Sequence, residues 1–270
     1  MHPEMFHIGS FPIRSYGVML AISFLVGVLY VGRMSKRDKK PFDQYLALAY
    51  IMIIGGVVGA RLAYVLFHLD EFAGNWTATF NPFHSGSYGI AGLNMYGGVI
   101  LAVIGAYIYC RIKKLNVLDT FDYFAPTIGL GLGITRIGCF LNGCCFGTPT
   151  DLPWGVEFPV GSIPYHVFGS AHLHPTQLYS SLYGIILFIG LHCLLKHRRF
   201  VGQIVGVMFM VEAVFRYAIE AVRYYEDAMH MTVFGIDFTY NHFMSIGLFL
   251  LGAGLYWFGH HAAKKAETAA

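Results

Sequence analysis

The chain has 270 residues, of which 56% are hydrophobic and 12% are charged, and its mean hydropathy is +0.55. Soluble proteins carry about 45–50% apolar and about 25% charged residues, so the composition excludes a soluble enzyme and a disordered chain. The net charge of +3 first suggests nucleic acid as a partner. The basic residues, however, cluster in short segments between apolar blocks, which indicates membrane topology and no nucleic-acid binding.

Seven apolar blocks are long enough to cross a hydrocarbon core about 30 Å thick. They run over about residues 16–32, 43–67, 88–110, 118–140, 174–195, 202–224 and 239–258. We therefore predict an all-α polytopic membrane protein with seven transmembrane helices. Residues 1–270 are expected to form a single integral membrane domain.

Basic residues predict the orientation of these spans under the positive-inside rule. Of the 18 Lys and Arg residues, 13 fall in the loops after the first, third and fifth blocks or in the tail. The other loops, about residues 68–87, 142–172 and 225–238, contain none. The pattern predicts an N-terminus outside, a cytoplasmic C-terminus and a small extracytoplasmic cap made of residues 68–87 and 142–172. An extended-looking run over residues 154–158 lies in this cap.

Four arginines fall inside predicted spans. They are Arg61, Arg136, Arg216 and Arg223. An arginine at a helix centre costs about 2.5–3.5 kcal/mol to insert, so these side chains should face a polar interior in the outer half of the membrane. Glu212 and Glu220 share a helix face with Arg216 and Arg223 at three- and four-residue spacings. Because two glutamates do not neutralise four arginines, the pattern favours binding of an anion such as a lipid phosphate over a purely structural, ion-paired strut.

Cys139, Cys144 and Cys145 cluster near the end of the fourth block. Their spacing matches no standard zinc pattern, and cysteines often pack as small buried apolar side chains. We therefore expect packing and no metal site. A disulfide that includes Cys144 or Cys145 remains open, since the outer compartment is oxidising.

Short motifs lie within the predicted spans, at their ends or in the loops beside them. They are Ser15-Tyr16-Gly17, Gly59-Ala60-Arg61-Leu62, Tyr96-Gly97-Gly98, Arg136-Ile137-Gly138-Cys139-Phe140-Leu141-Asn142-Gly143, Pro153-Trp154-Gly155-Val156, His174-Pro175-Thr176-Gln177-Leu178-Tyr179, and Arg216 with Glu220 and Arg223. The fourth and sixth motifs are the most specific. Over most of its length, the chain resembles the prolipoprotein diacylglyceryl transferase family.

The resemblance implies an enzyme of the bacterial cytoplasmic (inner) membrane that catalyses the first step of lipoprotein maturation. Such an enzyme moves the diacylglyceryl group of phosphatidylglycerol to the lipobox cysteine thiol in the signal peptide of a prolipoprotein. The reaction forms a thioether, releases glycerol phosphate and needs no metal or other cofactor. The implied partners are therefore phosphatidylglycerol, prolipoprotein signal peptides and membrane lipids.

The resemblance also implies roles for individual residues. Arg136, Arg216 and Tyr96 are expected to be catalytic, with Arg136 and Arg216 holding the phosphate and Glu220 paired with Arg223 in support. The residues expected to bind substrate are Tyr16, Arg61, Gly97, Gly98, Asn142, Gly147, His174, Gln177, Glu220 and Arg223.

Two positions depart from the family pattern. Tyr96 stands where many members carry a histidine that is proposed as the base, and Cys139 stands where they carry asparagine. Because a phenol is a poor base at neutral pH, Tyr96 acts either as a base assisted by the cationic field or as a hydrogen-bond donor to the lipid headgroup, and we favour the donor. Two alternative functions remain open: a paralogue that uses the same lipid with another nucleophile, and a transporter of anionic lipids.

Overall fold

The computed structural model describes residues 1–9, 11–72, 92, 94–225, 230–233 and 236–269. Most of these residues are helical. The helices are α1 (Ser15–Arg37), α2 (Phe42–Phe67), α3 (Leu69–Phe72), α4 (Met95–Ile112), α5 (Val117–Asn142), α6 (Ile163–Phe168), α7 (Thr176–Lys196), α8 (Gln203–Glu220) and α9 (Tyr240–Ala269).

Six of these helices are long and apolar enough to cross a membrane, namely α1, α2, α4, α5, α7 and, over Tyr240–Lys265, α9. The helix that corresponds to the remaining predicted span, α8, has 18 residues, and its full length carries three charged side chains, Glu212, Arg216 and Glu220. Each of the six apolar helices has an 18-residue stretch with at most two. An all-α polytopic membrane protein is thus confirmed. A seventh span and the orientation stay predictions.

Two boundaries differ from the hydropathy pattern. The sixth block was expected to reach residue 224, but α8 ends at Glu220, so Arg223 lies beyond the helix and not on its polar face. The third block was expected to begin at residue 88, whereas α4 begins at Met95. Residues 73–91, which include most of the first predicted cap segment, lie outside the described residues.

Short strands join or flank the helices in three two-stranded sheets. The strands are β1 (Glu4–Ile8), β2 (Phe11–Arg14), β3 (Val156–Glu157), β4 (His172–Leu173), β5 (His230–Val233) and β6 (Ile236–Thr239). β3 falls within the run that was expected to be extended and pairs antiparallel with β4, with Val156 opposite Leu173. β5 and β6 also pair antiparallel.

The chain forms two compact units, the first made of residues 1–6, 13–27 and 121–270 and the second of residues 7–12 and 28–120. In the second unit, α2 and α4 pack through glycines. A Cβ atom added to Gly59 would lie 2.4 Å from the Gly97 oxygen, and one added to Gly98 would lie 2.7 Å from the Gly56 oxygen. Small residues of this kind allow helices in a membrane to approach closely.

Glycine contacts also hold together the helices of the first unit. A Cβ atom added to Gly184 of α7 would lie 2.5 Å from the Gly133 nitrogen of α5. At the start of α8, the buried carboxylate of Asp122 accepts hydrogen bonds from the backbone of Gly202 and Val205, at 2.7 and 2.9 Å. These contacts fix α8 against α5, the helix that carries Arg136.

Candidate active site

The end of α5 brings together cysteines that are separated in sequence. Gly143 has a φ of 75°; its N–H donates to the Phe140 oxygen at 3.2 Å, and the Cys144 N–H donates to the Cys139 oxygen at 3.1 Å. These two bonds form a Schellman motif, for which a left-handed glycine is the usual residue. The motif turns Cys144 back towards Cys139, and the sulfur atoms of Cys139, Cys144 and Cys145 all lie within 4.8 Å of one another.

The first turn of α7 holds the segment Gly143-Cys144-Cys145, the cysteine turn, in place. The Thr176 hydroxyl donates to the Cys145 oxygen at 2.7 Å, and the Gln177 amide donates to the Cys144 oxygen at 2.9 Å. Gln177 is 0% exposed, and its Oε1 atom has no hydrogen-bond partner within the described part of the chain. The motif at residues 174–179 therefore positions the cysteine turn and leaves a buried acceptor beside it.

Gly147 lies where three segments of backbone converge. Its N–H donates to the His174 oxygen at 3.0 Å, and it forms an antiparallel bridge with Arg223. A Cβ atom added at this position would lie 2.5 Å from the His174 Cβ and 2.6 Å from the Val222 oxygen. The absence of a side chain at Gly147 thus allows Arg223 to approach the ends of α5 and α7.

The His174 side chain lies at the edge of this region. Its Nδ1 atom is 3.3 Å from the Tyr179 hydroxyl, which accepts a hydrogen bond from the Trp154 indole at 2.8 Å. The side chain of Asn142, the last residue of α5, interacts with Cys144. His174 and Asn142 therefore contact groups that surround the cysteine turn.

Arg136 lies one helical turn before Cys139. Its guanidinium group interacts electrostatically with Cys145, Cys139 and Tyr225. Tyr16 of α1 interacts electrostatically with Arg136 and with the cysteines. The two helices touch at Gly138, where an added Cβ atom would lie 3.3 Å from the Tyr16 Cα. Tyr16 and Arg136 thus lie on neighbouring helices.

The electrostatic environment favours negative charge on Cys145. Hydrogen bonds from the Cys139 and Cys144 thiols, and further the charges of Arg223 and Arg136, lower the pKa of the Cys145 thiol below its usual range, while burial acts in the opposite direction. The sulfur atom therefore lies in a cationic environment. Such an environment stabilises other anions as well.

Glu220 pairs with Arg216, and the expected pairing with Arg223 is wrong. The Arg216–Glu220 distance is 3.2 Å across one helical turn. The Tyr225 hydroxyl donates to Glu220 at 2.7 Å, and Arg216 donates to the same hydroxyl at 2.8 Å. Thr239 also donates to Glu220 at 2.7 Å. The expected Glu220–Arg223 pair does not form because the chain leaves the helix after Glu220.

Arg223 has a different set of neighbours. Its guanidinium carbon lies 4.9 Å from the centre of the Tyr225 ring, and its Nε atom is buried without a hydrogen-bond partner among the described residues. Tyr225 thus contacts both Arg216 and Arg223. Sequence reasoning missed this tyrosine, although its position two residues after Arg223 was a signal.

Four predicted site residues lie in the second unit. Arg61 is buried in α2, donates to the Gly92 oxygen at 3.2 Å and lies over the rings of Tyr64 and Phe72. Tyr96, in the first turn of α4, is 48% exposed, and its N–H is capped by the Asn94 side chain at 3.0 Å. The other two residues, Gly97 and Gly98, contact α2.

The fold and these contacts define a polytopic helical membrane protein with a partly buried cationic site. A family model described as prolipoprotein diacylglyceryl transferase matches residues 3–258, and the chain belongs to this family.

Curated relatives that are named phosphatidylglycerol–prolipoprotein diacylglyceryl transferase are similar over most of the chain. The relative from Clostridium tetani is 33% identical over 83% of this chain and 86% of its own length. The relative from Pasteurella multocida is 31% identical over 97% and 94%, respectively. The relative from Nitratidesulfovibrio vulgaris is 31% identical over 98% and 97%.

Proposed function

We propose that this protein transfers the diacylglyceryl group of phosphatidylglycerol to the lipobox cysteine of prolipoproteins, the first step of bacterial lipoprotein maturation. The observation that carries the proposal is the family match over residues 3–258, together with relatives of that name that align over nearly the whole chain. The alternatives, a paralogue with another nucleophile and a lipid transporter, have no comparable support.

The protein acts in the bacterial inner membrane with seven spans and its N-terminus outside. The six apolar helices and the distribution of 13 of the 18 basic residues support this arrangement under the positive-inside rule. The site lies in the outer half of the membrane, since the ends of α5 and α8 that carry it follow basic loops assigned to the cytoplasm.

In the proposed reaction, the substrate thiolate attacks the carbon of the diacylglyceryl group that is bonded to the phosphate oxygen. A C–S bond forms, the C–O bond to the phosphate breaks, and glycerol phosphate leaves with the electron pair. The thiol proton passes to a base or to water. The protein must therefore ionise a thiol and stabilise negative charge on the phosphate, and fixed guanidinium groups assist both steps.

Arg136 is the residue that we assign to the phosphate first, because it is partly buried and makes no ion pair with a carboxylate within the described ranges. Arg223 adds a second guanidinium group with a buried, unpartnered Nε atom. Arg216 is fixed by Glu220 and has further N–H donors, since a guanidinium group carries five. These groups form a preorganised anion site of the kind that stabilises a charged leaving group.

Residues of the second unit also have proposed roles. Tyr96 donates a hydrogen bond to the lipid headgroup, which its 48% exposure permits. Gly97 and Gly98 act by letting α4 pack closely on α2, which fixes the first turn of α4. In the second unit, Arg61 is a further proposed substrate-binding residue. In the first unit, the proposed substrate-binding residues are Tyr16, Asn142, Gly147, His174 and Gln177.

Reconstitution tests the function directly. The purified protein is incubated with phosphatidylglycerol and a lipobox peptide, and mass spectrometry detects the diacylglyceryl mass on the peptide cysteine and the release of glycerol phosphate. A peptide with serine in place of cysteine is the substrate control. We expect transfer only to the cysteine peptide; no transfer, with lipid still bound, would instead indicate a paralogue or a transporter.

Substitution of Arg136 tests the site. Removal of a preorganised charge donor lowers a rate by about 10²-fold or more, so Arg136→Ala should lose activity while it remains folded. Arg111→Ala is the matched control, since Arg111 is exposed at the end of α4 and should retain activity. Full activity of Arg136→Ala would contradict the assignment of the phosphate site.

A further inference from the structure

Three thiols of the first unit are arranged around a common point. Cys139 lies in the last turn of α5, and Cys144 and Cys145 lie in the turn that follows; their sulfur atoms are within 4.8 Å of one another. A tetrahedral zinc ion with Zn–S bonds of about 2.3 Å separates its sulfur ligands by about 3.8 Å. The three sulfur atoms therefore need to move by only about 1 Å or less to reach that separation.

We propose that Cys139, Cys144 and Cys145 form a metal site that binds a thiophilic cation with a filled d shell, of which Zn²⁺ is the commonest in proteins. The three side chains bind as thiolates, and binding releases one proton from each thiol that was protonated. Thiolate ligands select such soft cations over Mg²⁺ and Ca²⁺, which prefer oxygen. Three protein ligands leave a fourth position for water or another ligand.

Hydrogen bonds from α7 fix the backbone of two of the three proposed ligands. Thr176 and Gln177 donate to the backbone oxygens of Cys145 and Cys144. Cys145 has a φ of 63°, a left-handed conformation that residues other than glycine adopt rarely. Hydrogen-bonding groups that orient metal ligands, as Thr176 and Gln177 do here, contribute to metal affinity.

Charge balance also favours the site. Three thiolates and one Zn²⁺ ion carry one net negative charge, which is costly to bury without compensation. Arg223 and Arg136 both interact electrostatically with Cys145. The two guanidinium groups supply the positive charge that a buried three-thiolate centre needs.

A helix cap brings the first two ligands together. Structural zinc sites often contain a cysteine pair with two to four intervening residues, and Cys139 and Cys144 have four. Here the pair Cys139 and Cys144 is joined by the Schellman hydrogen bonds at Gly143. The sequence expectation of simple cysteine packing is replaced by this proposal.

Metal titration tests the site without lipid or peptide, so its outcome is independent of the proposed transferase activity. The full-length protein in detergent, reduced and freed of metal, is titrated with Zn²⁺ against a chromophoric chelator and with Cd²⁺ as a spectroscopic probe. We expect one ion per chain and a thiolate-to-cadmium absorption band. Cys139→Ser, Cys144→Ser and Cys145→Ser should each weaken binding by about tenfold or more, a loss that even outer-shell substitutions cause.

Cys193→Ser is the matched control, since Cys193 is exposed in α7 and should bind Zn²⁺ as the wild type does. A second measurement uses the unaltered protein, in which bound Zn²⁺ should protect the three clustered cysteines, but not Cys193, from alkylation by iodoacetamide. The proposal is overturned if the reduced protein binds no Zn²⁺, if the cluster variants bind it as well as Cys193→Ser does, or if Zn²⁺ leaves alkylation unchanged.

Discussion

Glu220 is the centre of the polar network at the end of α8. Its buried carboxylate accepts hydrogen bonds from Tyr225 and Thr239 at 2.7 Å and from Asn241 at 3.3 Å, and it pairs with Arg216 at 3.2 Å. The substitution Glu220→Gln keeps the size of the side chain and removes its charge. It also replaces an acceptor oxygen with an NH₂ group that faces donors.

The burial of the Arg216–Glu220 pair sets the expected loss in the free energy of unfolding. Removal of one partner of a buried ion pair costs about 3–5 kcal/mol. The Arg216 side chain is 24% exposed while that of Glu220 is 0% exposed, so water still solvates part of the guanidinium group. We therefore expect the lower end, about 3 kcal/mol, which corresponds to about 10²-fold in the unfolding equilibrium.

Equilibrium unfolding in detergent measures this loss. Glu212→Gln is the matched control on the same helix, because Glu212 makes no salt bridge within the part of the chain that the structure describes. The double variant Arg216→Gln with Glu220→Gln should be less destabilised than the sum of the single variants, since neither charge then lacks its partner. Wild-type stability of Glu220→Gln, or additive effects in the double variant, would refute the reasoning.

Three further changes test separate parts of the molecule. Gly147→Ala should lower the free energy of unfolding by about 1–3 kcal/mol, because the added Cβ would lie 2.5 Å from the His174 Cβ. The control Gly190→Ala, where the added Cβ meets open space, should not be destabilised. Equal melting temperatures of the two variants would refute the expectation. Asp122→Asn should lower the free energy of chemical unfolding by about 2 kcal/mol, since it weakens the hydrogen bonds from the Gly202 and Val205 N–H groups. An unchanged denaturant midpoint would argue against this role of Asp122. Tyr96→Phe should reduce transfer about tenfold, the effect of losing one hydrogen bond of about 1.4 kcal/mol, whereas complete inactivity over the whole pH range would identify Tyr96 as the base.

The hydropathy pattern predicted most of the helices because a membrane span depends on local composition. The blocks expected at residues 43–67 and 118–140 correspond to α2 and α5 within a few residues. The end of α8 was missed because the residues after Glu220 continue an acceptable helical pattern. In the structure they leave the helix so that Arg223 can form a bridge with Gly147, which is a long-range pairing that a local pattern does not contain.

The site was predictable to the extent that its contacts are local. The Arg216–Glu220 pair follows from a four-residue spacing on one helix. The thiol cluster does not, since residues five apart on a continuous helix, such as Cys139 and Cys144, lie about 140° apart around its axis. They meet because Gly143 ends the helix between them, and the turn is then held by α7 through Thr176 and Gln177.

The arginines that the sequence placed in the spans differ in what neutralises them. Arg216 has the carboxylate of Glu220. Arg136 and Arg223 pair with no carboxylate among the described residues, and both face Cys145. A buried donor without a partner, such as Arg223 Nε, costs about 1–3 kcal/mol, and an anionic oxygen or a thiolate removes that cost. The surplus positive charge that the sequence predicted is therefore concentrated beside the cysteine turn, where a lipid phosphate and a metal thiolate centre would both be stabilised.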